Sequence, residues 1–591
     1  MLRKSSTFEP MAVTTMVLRS KGTLISAGVL LVTIVSVTFL LNTGSHKIDM
    51  EMSQQDTLRM KPQEHYFERN LSHYNPSEVL LPYTENTPDT VHVLWCGLKW
   101  FEFKHFLSLL SIMKVQQPSK VIIHYWDDNK VLRDRNDYNL WYSQLLDEYY
   151  NIVTRSRGPT APDCENNTIM MENVLDILKN GGIYVNDTIV LTHHLHHLRK
   201  LPLSVGVTNK NVPVTFKTLA YLVAKKGEAT SEKLQSLRGD DFSSSCAVSD
   251  SLEKTNTLPS VLPTCILIQR NIIPAKIMET KDALSQVVRL IYYGSTKVKL
   301  PDWSMDDPIP NIGHMVLLGG YEMNLLSYLS IRSMIHCVGA EAMYIYIDVE
   351  PKGQWYEKLK AEEPRAVFVY HEWPGTVFGH PISDGSHASD LMRFDLLYRF
   401  GGIYVDWDAV MLRPLGHLKG YGFVTNFDWP DWHPPYPDVI NNGVSAGKKG
   451  SEFLRKSLMK FRSYNPKGDW YYMGLMMPYK LYEQYPELVK IERKLQVICY
   501  MLKCHPVFSL DITMKRYITS TVLVLTGKSC LLPFQCHKKV YAFHWTQPSP
   551  PELLNMTLLQ TAKGMFADVG RYVLSCDRKK TLASLVGSHQ L

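Results

Sequence analysis

Residues 389–415 read S-D-L-M-R-F-D-L-L-Y-R-F-G-G-I-Y-V-D-W-D-A-V-M-L-R-P-L. The first eleven or so carry Leu391, Phe394, Leu397, Tyr398 and Phe400 at helical spacing, which predicts a helix with one buried stripe. Gly401-Gly402 ends that helix and turns the chain into the strand Ile403-Tyr404-Val405. Side chains two apart in a strand point the same way, so Tyr404, Asp406 and Asp408 share one face and Trp407 takes the other. Asp390 and Arg393 lie one helical turn apart and share a face near the helix start. The backbone has to turn as the strand ends before both carboxylates can reach one ion.

The same frame occurs earlier in the chain. Gly181-Gly182-Ile183-Tyr184-Val185 returns 220 residues later as Gly401-Gly402-Ile403-Tyr404-Val405. Leu110-Ser111-Ile112 returns as Leu329-Ser330-Ile331, Val207-Thr208-Asn209 as Val424-Thr425-Asn426, and Lys225-Lys226-Gly227 as Lys448-Lys449-Gly450. Four landmarks with offsets between 217 and 223 read as a tandem duplication. Each Leu-Ser-Ile sits between two short apolar strands, VHVLWCG (91–97) and KVIIHYW (120–126) in one copy, HMVLLGG (314–320) and MYIYID (343–348) in the other. Strands alternating with helices predict an α/β fold with a largely parallel sheet, in two Rossmann-like domains at about 91–300 and 308–591. Such sheets place ligands at the carboxyl ends of their strands.

Of the 591 residues, 45% are hydrophobic and 20% charged, the composition of a folded protein. Net charge is 64 − 57 = +7, with no long Lys/Arg block, so nucleic acid has no compositional support as a partner. Residues 23–41, TLISAGVLLVTIVSVTFLL, are nineteen uncharged residues. At about 1.5 Å per residue they come close to a bilayer core of roughly 30 Å. Arg3, Lys4, Arg19 and Lys21 against Glu9 put residues 1–22 in the cytoplasm and the rest of the chain on the far side. LLNTGSHK is a poor cleavage site, so the expectation is an uncleaved transmembrane anchor rather than a signal peptide. Residues 42–90 are polar and without periodicity, a stem. Sequons at Asn70, Asn166, Asn186 and Asn555 and ten cysteines permit a lumenal glycoprotein. Cys499 with Cys504 and Cys530 with Cys536 are close enough for small disulfide loops, although pairing is not readable from sequence. The absence of CxxC removes zinc-ribbon, thioredoxin-like and haem readings.

Two carboxylates at i and i+2 are a natural grip for Mn²⁺ or Mg²⁺, which leave positions for water and substrate phosphates. Such an ion neutralises a departing diphosphate. Arg393 offers a fork of donors and Asp390 an acceptor for sugar hydroxyls. A bare D-x-D is common at solvated turns. Its setting here, after helix, Gly-Gly and aromatic strand and with D-x-x-R before it, singles it out.

The pattern D-x-x-R-x-x-x-L-Y-x-x-G-G-I-Y-x-D-x-D resembles the sugar-binding region of family 32 glycosyltransferases, which include α1,4-galactosyl-, α1,4-N-acetylglucosaminyl- and α1,6-mannosyltransferases of the Golgi. It is also similar to the glucosylating domains of clostridial toxins. The resemblance spans about 310–550 and is dense only at 389–415. It implies a GT-A fold, a nucleotide-sugar donor, Mn²⁺ and retention of anomeric configuration. It implies that Asp406 and Asp408 handle metal and diphosphate, that Asp390 and Arg393 contact the donor sugar, and that Tyr404 lines the pocket. The family's Asn-Gly is matched by Asn442-Gly443 and its C-terminal His/Trp by His544-Trp545, with His544 either a further metal or phosphate ligand or structural. The chain departs from the family at MGLMMP, around Gly474, where relatives have Gly-Pro directly.

In the first copy Asp390 becomes Met170, Arg393 becomes Asn173, Asp406 becomes Asn186, Asp408 becomes Thr188 and Asn442 becomes Leu219. Asp187 falls on the Trp407 position, facing away, and Asn186 opens a sequon where the metal would sit. Residues 91–300 therefore read as a degenerate transferase-like domain that packs on, or presents acceptor to, the second; metal-independent sugar binding stays open. Four histidines in 193–197 cannot all face one ion on a regular element. The expected function is transfer of a hexose or N-acetylhexosamine from a UDP-sugar, with GDP-mannose second, to a glycan or glycolipid acceptor in the Golgi lumen. A non-catalytic glycan-binding pseudo-transferase and a nucleotide-sugar hydrolase are the alternatives.

Overall fold

The computed structural model describes residues 87–97, 99–126, 140–158, 162–382, 384–428, 439–466, 472–500, 503–504, 540–546, 549–562 and 565–587. The expected tail, transmembrane anchor and nearly all of the stem, with Asn70, Cys530 and Cys536, lie outside them. Among the described residues no helix is long and apolar enough to cross a membrane. All of them belong to one compact unit.

That unit contains two seven-stranded sheets of the same design. The first runs, edge to edge, Val153–Arg157, Val121–Tyr125, Val91–Trp95, Gly182–Val185, Leu219–Ala224, Leu203–Val207 and Ser244–Ser245. The second runs Ala366–Tyr370, Met343–Ile347, Gly313–Leu317, Gly402–Val405, Ile440–Gly447, Phe423–Phe427 and Lys490–Ile491. In each, the first four strands are parallel, the fifth is antiparallel to the fourth and to the sixth, and the seventh is parallel to the sixth. Six of the seven strands in each sheet thus run the same way, so the sheets are largely parallel, as the sequence predicts, with the fifth strand alone reversed. The sequence pattern does not show that one reversal, because a strand buried on both faces, such as Ile440–Gly447, has the same composition in either direction.

The Gly-Gly corner has the same cause in both halves. Helix Gly385–Phe400 opens with Asp384 accepting from the Ser386 N–H and runs to Gly401. Gly401 and Gly402 have φ of 68° and 114°, and a Cβ on Gly402 would meet the Ile312 carbonyl oxygen at 2.8 Å. Gly181 and Gly182 have φ of 81° and 140°. Only glycine tolerates this backbone next to a neighbouring strand.

Hydrogen-bond register corrects two of the sequence landmarks. Ser108 Oγ donates to the Asn186 carbonyl (3.3 Å) and Ser330 Oγ to the Asp406 carbonyl (3.1 Å), so these serines are equivalent. Ser111 corresponds instead to Ser333, each accepting from a strand N–H, of Leu191 and Met411 respectively. The Leu-Ser-Ile match is therefore one helical turn out of register, because serines three apart share a helix face. Leu203 opposite Ala224 corresponds to Phe423 opposite Gly447, so the two Val-Thr-Asn triplets do not superpose: Val424-Thr425-Asn426 lies within its strand, and Val207 ends the equivalent one. The Lys-Lys-Gly match holds, with Lys225 N–H donating to Pro202 and Lys448 N–H to Gly422, both at 2.9 Å.

The second half's core joins one face of its sheet, bearing Met315, Ile345, Ile403 and Ala446, to the C-terminal helix Met565–Gly587 through Phe566, Val569 and Val573. That helix is tied by the Cys337–Cys576 disulfide. Beside it, Arg332 and His336 pair with Glu363 and Asp577. Cys96–Cys164 and Cys246–Cys265 close loops in the first half, Cys499 is also disulfide-bonded, and Cys499 and Cys504 stand opposite on adjacent strands. Replacing Cys337 and Cys576 by serine is expected to cost about 2–4 kcal/mol of stability. A lowered thermal midpoint would be the readout; an unchanged one would mean that apolar packing alone holds the helix.

Candidate active site

Four elements converge where the strand Gly402–Val405 ends. The chain turns at Asp406, with the Ala409 N–H donating to the Asp406 carbonyl (3.0 Å), and continues as Ala409–Met411. The Asp406 N–H donates to the Gly443 carbonyl (2.7 Å), which locks the turn to the neighbouring strand. Strand Ala542–Trp545 pairs antiparallel with Ala409–Met411 and sets His544 opposite Ala409. Helix Gly385–Phe400 supplies Asp390 and Arg393, both buried.

The turn brings both carboxylates to His544. His544 Nε2 lies 3.2 Å from Asp408 Oδ1 and 3.8 Å from Asp406 Oδ2. These three side chains offer ligand atoms within 4.8 Å of one another. His544 Nδ1 is taken by Gln496 Oε1 at 3.1 Å, which aims Nε2 at the carboxylates. The Gln496 amide in turn donates to Asn426 and Asn441. Gly443 makes room: a Cβ there would stand 2.2 Å from His544 Cε1 and 2.8 Å from Asp406 Oδ2.

On the other side of Asp406, Arg393 places its guanidinium 3.3 Å from Asp406 Oδ1 and 3.5 Å from Asp390 Oδ1, over the Tyr404 ring. The Tyr404 hydroxyl donates to Asp406 Oδ1 at 2.9 Å, and Ser389 Oγ lies within hydrogen-bond distance of both Tyr404 and Arg393. Asn442 Nδ2 donates to the Gly474 carbonyl (2.6 Å), and its Oδ1 accepts from Thr425. Gly474 packs so closely that a Cβ would come within 2.5 Å of the Asp390 carboxylate. Trp545 is not with this group. Adjacent strand residues alternate faces, and its ring packs in the core against Phe543 and Phe566 while its main-chain N–H donates to the Asp408 carbonyl.

Burial pushes the Asp390 carboxyl up to about 7, with Asp406 adding to the effect and Arg393 opposing it. Burial also raises Asp406, against Arg393 and His544. For His544, burial disfavours the charged ring, but Asp408, Asp406 and Asp428 outweigh it and the pKa is raised. Carboxylates this close therefore favour positive charge at one point. Two carboxylate oxygens and one imidazole nitrogen form a donor set that fits a divalent cation. A second convergent group, His336, Glu363 and Asp577, is built differently. The two ring nitrogens of His336 are taken by separate carboxylates, and Arg332 pairs with both, which is an ion-pair network. The His194 and His196 rings lie together, but 193–197 form no group of three ligands among the described residues, and His194 contacts the Gln116 carbonyl and accepts from the His196 N–H.

Gln496 and Gly474 escaped the sequence reading as site residues. The available signals were a polar residue opening the apolar run QVICY and the disrupted Gly-Pro at MGLMMP.

In the first half the corresponding place is filled. Met170, Tyr184 and Leu219 sit in one apolar cluster with Val174, Val207 and Leu222. Asn186 Oδ1 is spent on the N–H and hydroxyl of Thr188. The Ile268 N–H donates to the Thr188 carbonyl as the Trp545 N–H does to Asp408, so Leu267 occupies the His544 position. Asp187 pairs with Lys99 where the second half packs Trp407 against Tyr321.

A glycosyltransferase sugar-binding region containing a DXD motif matches residues 342–425. The match includes Asp390, Arg393, Asp406 and Asp408 and stops before Asn442 and His544. Glucan organizing enzyme 1 of Cryptococcus neoformans var. grubii is 23% identical over 175 residues, 29% of this chain and 47% of that protein. The chain thus spans about half the length of that curated relative. Among solved structures, the galactosyltransferase LgtC in complex with donor and acceptor sugar analogues is 13% identical, over 44% of this chain and 94% of that one, with a TM-score of 0.24. The glycosyltransferase GlyE of Streptococcus pneumoniae is 12% identical, over 49% and 81%, with a TM-score of 0.22.

Two outcomes follow from this geometry. Gly443→Ala is expected to displace His544 and abolish the stabilisation of the folded chain by Mn²⁺; an unaltered Mn²⁺-induced thermal shift would refute the packing argument. Asp390 binds its proton more tightly folded than unfolded, so it lowers stability as pH rises from about 4 to about 7. Asp390→Asn should flatten that slope and raise stability at pH 7.5 by on the order of a few kcal/mol, measured by denaturant titration at several pH values.

Proposed function

We propose that this chain is a metal-dependent, retaining glycosyltransferase of GT-A fold that moves a hexose or N-acetylhexosamine from a nucleotide-sugar to a glycan or glycolipid hydroxyl. The observation that carries the reading is the convergence of Asp406, Asp408 and His544 beside Arg393 and Asp390. The position of this group at the carboxyl end of a parallel strand supports it, as does the matched sugar-binding region.

Asp406, Asp408 and His544 would hold Mn²⁺, whose chemistry there is charge neutralisation of the leaving diphosphate. His544 is kept in one orientation by Gln496, so its Nε2 serves the carboxylates. Arg393 is pinned by Ser389 and Asp406, close enough to lend its remaining donors to a phosphate or sugar oxygen. Asp390, with its carboxyl near neutrality, can accept from or donate to a sugar hydroxyl. Gly474 and Asn442 close the pocket on the Asp390 side. In a front-face displacement the bond from the anomeric carbon to the phosphate oxygen breaks while the acceptor oxygen bonds to the same face. The leaving phosphate takes the acceptor proton, so the protein supplies no base.

The donor is a UDP-sugar in preference to GDP-mannose. The two halves are tandem copies, in line with their matching strand orders, and the first is non-catalytic, its counterpart site being apolar. The protein is a single-pass type II Golgi membrane protein, anchored by residues 23–41 with the catalytic half lumenal. Disulfides in both halves fit an oxidising compartment, and the exposed sequons Asn166 and Asn555 fit glycosylation there.

The test is donor turnover by the full chain, purified in detergent from a secretory host and screened against UDP- and GDP-sugars with Mn²⁺ and mixed glycan acceptors. Release of nucleotide from one donor should depend on Mn²⁺ and on acceptor. It should fall by on the order of 10³ or more in Asp406→Ala/Asp408→Ala. Release without acceptor dependence would indicate a hydrolase, and no release from any donor would leave a glycan-binding protein.

A further inference from the structure

The wall of the pocket that carries Gly474 is also the place where the first half grips the second. Segment Tyr472–Met476 runs without a break into helix Met477–Gln484. Near its start, the Gly474 carbonyl accepts from Asn442 and its Cα lies against the Asp390 carboxylate. Nine residues on, about 14 Å at helical rise, lies Glu483, whose side chain is wholly buried.

Glu483 is held largely by the other half. Trp141 Nε1 donates to both of its carboxylate oxygens, at 2.9 and 3.1 Å. The Tyr292 hydroxyl donates to Oε1 at 2.8 Å, and the Tyr293 hydroxyl donates to the Glu483 main-chain carbonyl at 2.7 Å. From its own helix comes the Lys480 ammonium, which also lies over the rings of Phe106 and Trp141. Trp141 sits on helix Leu140–Glu148, and Tyr292 and Tyr293 end helix Ala283–Tyr293. None of these residues belongs to the apolar cluster that fills the first half's counterpart site. A buried carboxylate is a costly way to join two surfaces that apolar side chains could join, but its directional donors impose one position on the helix that carries it.

We propose that the first half acts as a clamp, in which Glu483 is a positioning residue that sets Gly474 and Asn442 against Asp390 and so shapes the pocket for the sugar of a nucleotide-sugar donor. The proposal rests on the transferase reading above. It gives the catalytically degenerate half a part in the reaction, played by its helices rather than by its filled pocket. The metal-binding turn 406–408 and His544 lie on other elements, so loosening the clamp affects the sugar side of the site and spares the metal side.

The test compares the full chain with Trp141→Phe/Tyr292→Phe, which removes two donors to Glu483 and keeps an aromatic ring at each position. It also includes Lys480→Met/Glu483→Gln, which removes the charge pair and keeps an acceptor oxygen for Trp141 and Tyr292. Hydrogen exchange is followed in peptides covering 472–484 and 403–411, with the Mn²⁺-induced thermal shift and the donor KM and kcat. In the Trp141/Tyr292 variant, exchange in 472–484 should accelerate roughly fivefold or more, with a rise of similar size in donor KM. Exchange in 403–411 and the Mn²⁺ shift should stay as in the wild type. The Lys480/Glu483 variant should retain slow exchange and a KM near wild type. Wild-type turnover with unchanged exchange or unchanged KM in the first variant would overturn the clamp alone, as would a loss of the Mn²⁺ shift, which would point to general loosening. No turnover by the wild-type chain on any sugar nucleotide would overturn the transferase reading and, with it, the clamp's part in the reaction.

Discussion

The main-chain hydrogen bond from the Asp406 N–H to the Gly443 carbonyl is the constraint around which the site is organised. It holds Asp406 on the neighbouring strand for one more rung, and the Ala409 N–H bond to the Asp406 carbonyl then turns the chain where an extended strand would send Asp406 and Asp408 along one face. The turn it fixes gathers both carboxylates toward His544, and the missing side chain of Gly443 lets the imidazole approach. Like charges drawn together this way are unfavourable unless something positive lies among them. Arg393 serves Asp406 from one side, and His544 or a divalent cation serves both carboxylates from the other.

The first half keeps the backbone of this arrangement and none of its electrostatics. The Asn186 N–H donates to Ala220 as Asp406 does to Gly443, and Ser108 braces the turn as Ser330 does. Yet the pocket side chains are Met170, Tyr184 and Leu219, packed as core. Once carboxylates and Arg are gone, nothing opposes the collapse of that volume, and apolar burial at about 25 cal/mol per Å² favours filling it. The filled half is correspondingly free to act as a rigid surface, which is how it meets helix Met477–Gln484.

Polar residues at the junction of the halves and at the C-terminal helix follow one rule. Glu483 is surrounded by Trp141, Tyr292 and Lys480, and Glu363 and Asp577 by Arg332 and His336. Glu483 and Glu363 are buried and Asp577 is nearly half exposed, and each is met by directional donors from another element, so each specifies a position and not merely a contact. The C-terminal helix is tied to the segment after Ser330 and Ser333, the two serines that bond to the turn and to the strand following it. Distant parts of the chain thereby support the same few residues of the turn.

Much of this was legible in the residues themselves. The α/β alternation, the Gly-Gly corner, the helix bearing Asp390 and Arg393 and the absence of those carboxylates from the first half are local facts. They follow from periodicity, from φ values open only to glycine and from side-chain charge, none of which needs a partner strand. The direction of the fifth strand, the register between the two halves and the separation of His544 from Trp545 were not local. Two neighbours in a strand cannot both face one site, and which of them does depends on the strand with which they pair. Gln496, Gly474 and Glu483 belong wholly to this second class, since a lone polar residue in an apolar run acquires its role from donors up to 342 residues away. The sequence by itself determined which chemical groups the chain possesses and where its backbone must bend. Only the tertiary structure decided which of those groups meet, because burial, pairing direction and close approach are properties of contacts between distant segments.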